Sequence, residues 1–248
     1  MNKGLVLLSL VIFVYLQGCA TSKAQKEQSS IHYRLGVSYL NEGDSTSALR
    51  ELMEAEKSSK EDHQIYNALG LAYYKKGEFD LAIQQFKKAV ELNPQFSEAR
   101  NNLGILYLEK KMWDNAIDEL TKAGTDLLYP TPEYAYTNMG WAYFKKGDPV
   151  KAIECYQKAI EKNQRYPKAH HDLGLVYFSL ERIDDAVGAY KTSIRLFPNY
   201  VDAHYDLGLA YLKTNKKNSA LDAFKEVVRI APDSEAGRNA QNYLDLLK

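Results

Sequence analysis

Two cysteines and five histidines are the side chains of this sequence best suited to nucleophilic or metal chemistry, but their spacing matches no known catalytic pattern. The sequence lacks a glycine-rich phosphate loop, an H-E-x-x-H helix and a G-x-S-x-G turn. His170 and His171 are adjacent, about 100° apart on a helix, and cannot readily share one metal ion. The sequence therefore predicts a protein that is not an enzyme and uses no metal, cofactor or small-molecule substrate.

Cys19 follows a short apolar segment near the start of the chain. Lys3 precedes the almost wholly apolar run Gly4–Leu16, which leads into Leu16-Gln17-Gly18-Cys19. A helix of this run would rise only about 20 Å, which is too short for a hydrocarbon core of about 30 Å. We therefore predict a cleaved secretion signal over residues 1–18.

The end of this signal resembles a bacterial lipobox, with Leu16 three residues before the cysteine and Gly18 directly before it. The resemblance implies that Cys19 becomes the first mature residue and carries a diacylglycerol and an N-acyl chain such as palmitate. Several acyl chains hold a protein on a membrane almost permanently. Ala20 in place of aspartate resembles the outer-membrane sorting pattern of Gram-negative lipoproteins, which implies a lipid-anchored protein with its body in the periplasm. The alternative is an ordinary signal with a chance cysteine.

Residues 19–30 are polar and lack apolar periodicity, so we predict a flexible tether after the lipidated cysteine. Charge along the whole chain is balanced, with 32 basic and 32 acidic residues, which argues against nucleic acid as a partner. If Cys19 is acylated, Cys155 has no intramolecular partner. We interpret Cys155 as a small packing residue, with a reactive thiol, or even a hydrolase built on it, as the alternative.

A 34-residue unit is repeated along the rest of the chain. A Leu-Gly or Met-Gly pair marks each copy, with tyrosine three residues and alanine twelve residues after each glycine. The six glycines are Gly36, Gly70, Gly104, Gly140, Gly174 and Gly208. Apolar spacings of three and four on either side of Gly77 predict a helical hairpin, and one hairpin cannot bury both of its faces alone.

These positions resemble the tetratricopeptide repeat (TPR) signature, L-G-x2-Y followed by A-x3-F and proline. The resemblance implies an all-α TPR solenoid, a right-handed superhelix of six hairpins over residues 31–234. Residues 235–248 are predicted to form a C-terminal capping helix after the N-cap Ser234. Two prolines, Pro130 and Pro132, interrupt the third repeat, so we expect its second helix to be extended or re-angled there.

In the TPR family the first helix of each repeat builds the inner, concave wall, notably through the residues one and four after the glycine. All twelve are apolar here: Val37, Leu40, Leu71, Tyr74, Ile105, Leu108, Trp141, Phe144, Leu175, Phe178, Leu209 and Leu212. We expect either an open groove that binds an amphipathic helix or apolar segment, or a tightly wound core. Asn67 and Asn101 are polar neighbours that could bind a ligand's backbone.

The lipobox, the tether, six repeats and the Tyr129-Pro130-Thr131-Pro132 interruption together resemble the outer-membrane pilotin lipoproteins of type IV pili, the PilF/PilW/Tgl group. The resemblance implies that the protein binds a secretin subunit and promotes its localisation or multimerisation at the outer membrane. The alternative is a generic TPR scaffold lipoprotein that recruits peptidoglycan enzymes or outer-membrane assembly factors.

Overall fold

The computed structural model describes residues 24–247, and within that range every regular element is helical, without a β-strand. Residues 24–42 are helical and form α1. The following helices are α2 (Ser45–Ser58), α3 (His63–Lys75), α4 (Phe79–Leu92), α5 (Ser97–Glu109), α6 (Trp113–Gly124), α7 (Pro132–Lys146), α8 (Pro149–Lys162), α9 (Pro167–Ser179), α10 (Ile183–Leu196), α11 (Val201–Lys213), α12 (Lys217–Ile230) and α13 (Glu235–Leu246). The all-α prediction is confirmed. The predicted signal and Cys19 lie outside the described residues.

The helices fall into two units, one ending at Leu106 and the other beginning at Tyr107. The first unit contains α1 to α4 and most of α5, around a buried cluster that includes Leu52, Ile65 and Leu69. The second unit contains α6 to α13. Its buried residues form several clusters along the chain, as expected when each hairpin buries its apolar face mainly against its neighbours.

In five of the hairpins, a glycine on the first helix contacts a large side chain on the second. A Cβ atom on Gly70 would lie 2.5 Å from Cε1 of Phe86, and one on Gly174 would lie 2.5 Å from Cε1 of Tyr190. Real Cβ atoms do not approach so closely, so only glycine lets the two helices pack at this distance. The same contact pairs Gly36 with Leu52, Gly140 with Tyr156 and Gly208 with Phe224.

The turn inside each hairpin contains one residue in the left-handed region, seven positions after the glycine of the Leu-Gly or Met-Gly pair. Gly77 has φ +78°. Asn215, in contrast, holds φ 57° without being glycine. The other four are Gly43, Lys111, Gly147 and Glu181. The next residue donates its N–H to the carbonyl of the repeat's tyrosine, for example Glu78 to Tyr73 at 3.0 Å, which ends the helix as in a Schellman motif.

Residues 24–30 correct the tether prediction, because they are helical and belong to α1. Ser29 is only 3% exposed, and its hydroxyl donates to the carbonyl oxygen of Ala55 in α2 at 2.9 Å. This bond gives a polar segment a buried partner, which composition alone does not reveal. Residues 19–23 lie outside the described part of the chain.

Of the two alternatives predicted for the second helix of the third repeat, extension is wrong. Helix α6 is not extended but stops at Gly124, and residues 125–131 form a non-helical connection before Pro132 opens α7. Within the connection, the Asp126 carboxylate accepts a bond from the backbone N–H of Leu128 at 2.9 Å. The side chains of Leu127 and Leu128 are almost fully exposed, at 93% and 91%. The connection is therefore stabilised by a bond from the Asp126 side chain to the backbone instead of by helical bonds.

The last helix, α13, begins at Glu235, and the Ser234 hydroxyl accepts the N–H of Gly237 at 3.0 Å. The rings of Tyr243 and Phe224 stack with centroids 4.8 Å apart and an interplanar angle of 6°. Leu244 is also buried in this cluster. Helix α13 therefore covers the apolar side of α12.

Candidate partner-binding surface

The predicted wall residues of the first unit occupy the boundary between core and solvent. Val37, Leu71 and Ile105 are half-buried, as is Tyr74, whereas Leu40 is buried at 5% exposure. Val37 and Leu71 pack against the buried cluster of the unit. A half-buried side chain is fixed by the core on one side and presents apolar surface on the other. The first unit therefore exposes part of an apolar row.

The second unit presents a similar row of half-buried apolar side chains. Trp141 and Phe144 lie on α7 with ring centroids 6.0 Å apart, and the Lys145 ammonium lies 4.2 Å from the centre of the Trp141 ring. Leu108 on α5 is also half-buried. The remaining members are Leu175, Phe178, Leu209 and Leu212. The structure thus lies between the two sequence-based alternatives of an open apolar wall and a closed core.

The two predicted polar contacts need correction. Asn67 is only 6% exposed, and its amide nitrogen donates to Glu98 Oε1 at 3.1 Å. Its amide oxygen accepts from Asn102 Nδ2 at 3.0 Å. Asn101 is buried as well, at 5% exposure. These asparagines connect elements of the protein itself, because a buried amide needs internal partners, so we no longer expect Asn67 to face a ligand.

The Asn67–Asn102 bond illustrates a rule that recurs in the second unit. It joins the residue three before the glycine of one repeat to the residue two before the glycine of the next, 35 positions later. His171 and Asp206 occupy the same two positions, and His171 Nε2 lies 2.8 Å from Asp206 Oδ2. We call this contact the inter-repeat bond. It connects the first helices of successive hairpins through polar groups.

His171 is the centre of a buried ionic network. Its Nδ1 lies 3.0 Å from Asp172 Oδ1, and Asp172 Oδ2 accepts from Lys168 Nζ at 2.7 Å. Burial disfavours the charged imidazole, but the bonds to Asp172 and Asp206 outweigh it and raise the pKa of His171 to about 9. His171 therefore carries its proton at neutral pH, which balances one of the two aspartates.

The inter-repeat bond is missing at Thr137. By position, Thr137 on α7 should pair with Asp172 on α9, but both oxygens of Asp172 are already bonded to His171 and Lys168. The Thr137 hydroxyl is 1% exposed and has no hydrogen-bond partner. It lines a pocket of about 250 Å³ between the first helices of the fourth, fifth and sixth repeats, which also includes Trp141.

Sequence reasoning recognised Trp141 but missed the polar lining of this pocket: Thr137, His171, Asp172 and Asp202. One signal was visible in the repeat alignment. The position two before the glycine is asparagine in the third and fourth repeats, Asn102 and Asn138, but aspartate in the fifth and sixth. A change from neutral to charged side chains at one repeated position marks a local change in the surface.

The groups considered for chemistry occupy structural positions. Cys155 is 6% exposed, and burial raises the pKa of its thiol to about 12 despite the nearby Lys158, so it is not a thiolate at neutral pH. His204 bonds the carbonyl of Pro198 at 2.9 Å, and His170 that of Gln164 at 3.2 Å. Residues 24–247 contain no group of three or more side chains suited to a metal.

Sequence models described as TPR or tetratricopeptide repeats match residues 70–111, 133–166 and 171–235. Among solved structures, the MamA protein is 32% identical, with 69% of this chain and 93% of MamA aligned at a TM-score of 0.57. The chain belongs to the tetratricopeptide repeat family. This family membership supports a role in protein–protein interaction.

Two other similar TPR structures align over more of the chain. PilF of Pseudomonas aeruginosa is 20% identical, with 88% of this chain and 99% of PilF covered and a TM-score of 0.76. PilW, a widely conserved type IV pilus biogenesis factor, is also 20% identical, with 86% and 98% covered and a TM-score of 0.79. At this identity the likeness establishes a common TPR fold. No curated protein sequence matches the chain.

Proposed function

We propose that the protein is a pilotin of type IV pilus biogenesis, a lipid-anchored outer-membrane protein that binds a secretin subunit and promotes its localisation or multimerisation. The observation that carries the proposal is the extent of the structural likeness. PilF and PilW align with nearly their whole length to most of this chain, whereas MamA aligns with a smaller share. Alignment over nearly the whole of PilF and PilW supports a common kind of partner, because all the repeats that bind a partner must be present.

The proposed secretin contact lies on the apolar row of the first unit, around Val37, Leu71 and Ile105. Their half-buried side chains are held by the core and still present apolar area. An amphipathic helix or apolar extended segment of the secretin would cover that area. The bound segment would be kept from aggregating until secretin subunits assemble, which is the mechanism that we propose for the pilotin.

The membrane anchor of this proposal is Cys19, and its support comes from the sequence. Within residues 24–247, no helix combines the length and apolarity needed to cross a bilayer. We expect radiolabelled palmitate to be incorporated into the wild-type protein and not into Cys19→Ser. The outer-membrane fraction should lose the variant as well. Labelling that persists in Cys19→Ser would contradict the proposed anchor.

The secretin contact is tested by photo-crosslinking in cells. A photoreactive amino acid at Leu71, on the apolar row, should capture the secretin. The matched control is the same amino acid at Leu81, which is 39% exposed on α4, the second helix of the same hairpin. A secretin adduct from Leu71 and not from Leu81 supports the proposal. An adduct with a cell-wall enzyme or an assembly factor would favour the general scaffold instead.

A further inference from the structure

The pocket between α7, α9 and α11 in the second unit is small and has mixed chemistry. Its volume of about 250 Å³ is below the roughly 300–1,000 Å³ of typical small-molecule sites, so it is suited to one side chain of a larger partner. Trp141, Leu175 and Tyr200 supply apolar walls, while Thr137 and Asp202 supply polar groups. Such a pocket could fix the register of a polypeptide that binds along the row of half-buried apolar side chains in the second unit.

The buried, unpaired hydroxyl of Thr137 is the first observation that points to a ligand. A buried hydroxyl without a partner is destabilising, and native proteins rarely retain one without a reason. The internal partner expected from the inter-repeat bond, Asp172, is bonded elsewhere. The Thr137 hydroxyl is therefore available as a hydrogen-bond acceptor for a group that enters the pocket.

The charge balance of the pocket is the second observation. Lys168 is paired with Asp172, and His171 is held between Asp172 and Asp206. Asp202, in the first turn of α11, is exposed and forms no ion pair or hydrogen bond with another described residue. The carboxylate of Asp202 is thus the unpaired charge of the lining, and it attracts a cation.

The aromatic walls fit a planar cation. The Trp141 ring already has the Lys145 ammonium 4.2 Å from its centre, and that charge opposes a second cation on the same ring. Tyr200 also lines the pocket, with its ring 5.0 Å from that of His171. The charge of His171 is already held between the carboxylates of Asp172 and Asp206, so it opposes a second cation less than the Lys145 ammonium does. An arginine guanidinium presents several N–H donors in one plane and stacks on aromatic rings, whereas a lysine ammonium is a compact point charge. The side of the pocket formed by Tyr200 and Asp202 therefore favours arginine.

We propose that this pocket receives one arginine side chain of the partner polypeptide, with the guanidinium donating hydrogen bonds to the Asp202 carboxylate and the Thr137 hydroxyl. The inference rests on the proposed function in one respect, namely that the partner is a protein. It adds a chemical requirement, an arginine beside the apolar residues that contact the row. It places this recognition in the second unit, whereas the crosslinking position Leu71 belongs to the first.

The test uses the full chain, purified in detergent and isotopically labelled, with two small probes. N-acetyl-arginine methylamide carries the guanidinium, and N-acetyl-citrulline methylamide has the same shape without the charge. We expect the arginine probe to shift the amide resonances of Thr137 and Asp202 and to bind about fivefold more tightly than the citrulline probe, since a charge-assisted bond contributes about 1 kcal/mol or more. In Asp202→Asn this preference should disappear.

Two further variants make the test specific. Asp184→Asn removes an exposed aspartate from the first turn of α10, as Asp202→Asn does in α11, and should leave the preference unchanged. Thr137→Val keeps the shape of the side chain and should weaken arginine binding without unfolding the protein. Equal binding of both probes, no response at Thr137, or a preference that survives in Asp202→Asn would overturn the proposal. None of these outcomes bears on the secretin adduct at Leu71, so the two proposals can fail separately.

Discussion

His171 Nε2 lies 2.8 Å from Asp206 Oδ2, a contact between the first helices of the fifth and sixth repeats. The same histidine bonds Asp172 through Nδ1, so its imidazolium is held between two carboxylates. Asn67 and Asn102 form the equivalent contact in the first unit with neutral amides. One position in the repeat therefore supports either a neutral or an ionic bond, and only the ionic form depends on pH.

We expect the stability of the protein to fall as pH rises from about 6.5 to 9. The pKa of His171 in the folded protein, about 9, is above its ordinary value of 6.5. The protonated imidazole therefore stabilises the fold fully below pH 6.5, and this stabilisation is lost as the pH rises through 9. The difference corresponds to about 3 kcal/mol. Tyr190 and Tyr200 face the imidazole, and burial raises the pKa of each phenol, so both stay neutral in this window.

Urea unfolding measured between pH 6 and 9.5 checks this expectation. In His171→Gln the pH dependence over the window should flatten. His170→Gln is the matched control, because the neighbouring ring bonds a backbone carbonyl instead of a carboxylate. A wild-type stability that stays level up to pH 9 would contradict the ionic network.

Tyr156→Phe should stabilise the protein. The Tyr156 side chain is fully buried beneath Gly140, and its hydroxyl has no hydrogen-bond partner. Removing an unpaired buried hydroxyl should raise the free energy of unfolding by about 1 kcal/mol, or the melting temperature by about 2–4 °C. Phenylalanine already occupies this repeat position as Phe86 and Phe224. The reverse change, Phe86→Tyr, should lower the melting temperature, and a rise there would refute the explanation.

Lys111→Gly should also stabilise the protein. Lys111 holds φ +57° at a turn position where three other repeats have glycine. The left-handed conformation costs a non-glycine residue about 1–2 kcal/mol, so glycine at this position relieves that strain. The greater conformational freedom of glycine in the unfolded chain offsets part of this stabilisation. We expect a net increase of about 0.5–1 kcal/mol in the free energy of unfolding, measured by urea titration.

The control for this prediction is the opposite substitution, Gly77→Lys. Gly77 has φ +78°, and a Cβ atom there would meet no atom within 4 Å, so the backbone conformation alone should destabilise the variant. If neither substitution changes the unfolding midpoint, the turn conformation does not limit stability.

Leu71→Glu combined with Ile105→Glu should abolish secretin multimers in cells while the protein remains folded. Both side chains are half-buried on the apolar row, and a carboxylate there would have to lose its water when an apolar segment binds. Secretin multimers are measured by gel electrophoresis without heating, and folding by circular dichroism.

The matched control changes two apolar residues of the same unit on second helices. Met53→Glu with Leu81→Glu alters side chains that are 46% and 39% exposed on α2 and α4. This pair should leave the multimers intact. Loss of multimers in the control alone would move the secretin contact to the other face, and intact multimers in both variants would refute the apolar contact.

The repeat and its hairpins could be predicted from the sequence because they depend on local spacing. Gly70, Tyr73 and Gly77 lie within one helix and its turn, and Phe86 returns within the same hairpin. Sterically required glycines recur at one period, so the pattern identifies both the helices and the contact between them. The same local reasoning failed for residues 24–30, since the burial of Ser29 depends on Ala55, 26 positions away.

The sequence by itself determined the helical hairpins, the TPR family and the apolar row, because each follows from residue types at fixed local offsets. The tertiary structure decided how far that row is exposed and where the polar side chains find partners. Asp172 could bond Thr137 or the pair Lys168 and His171, and only packing of α7, α9 and α11 selects the second. Partner choice among neighbouring repeats is a competition in three dimensions, which the order of residues does not record.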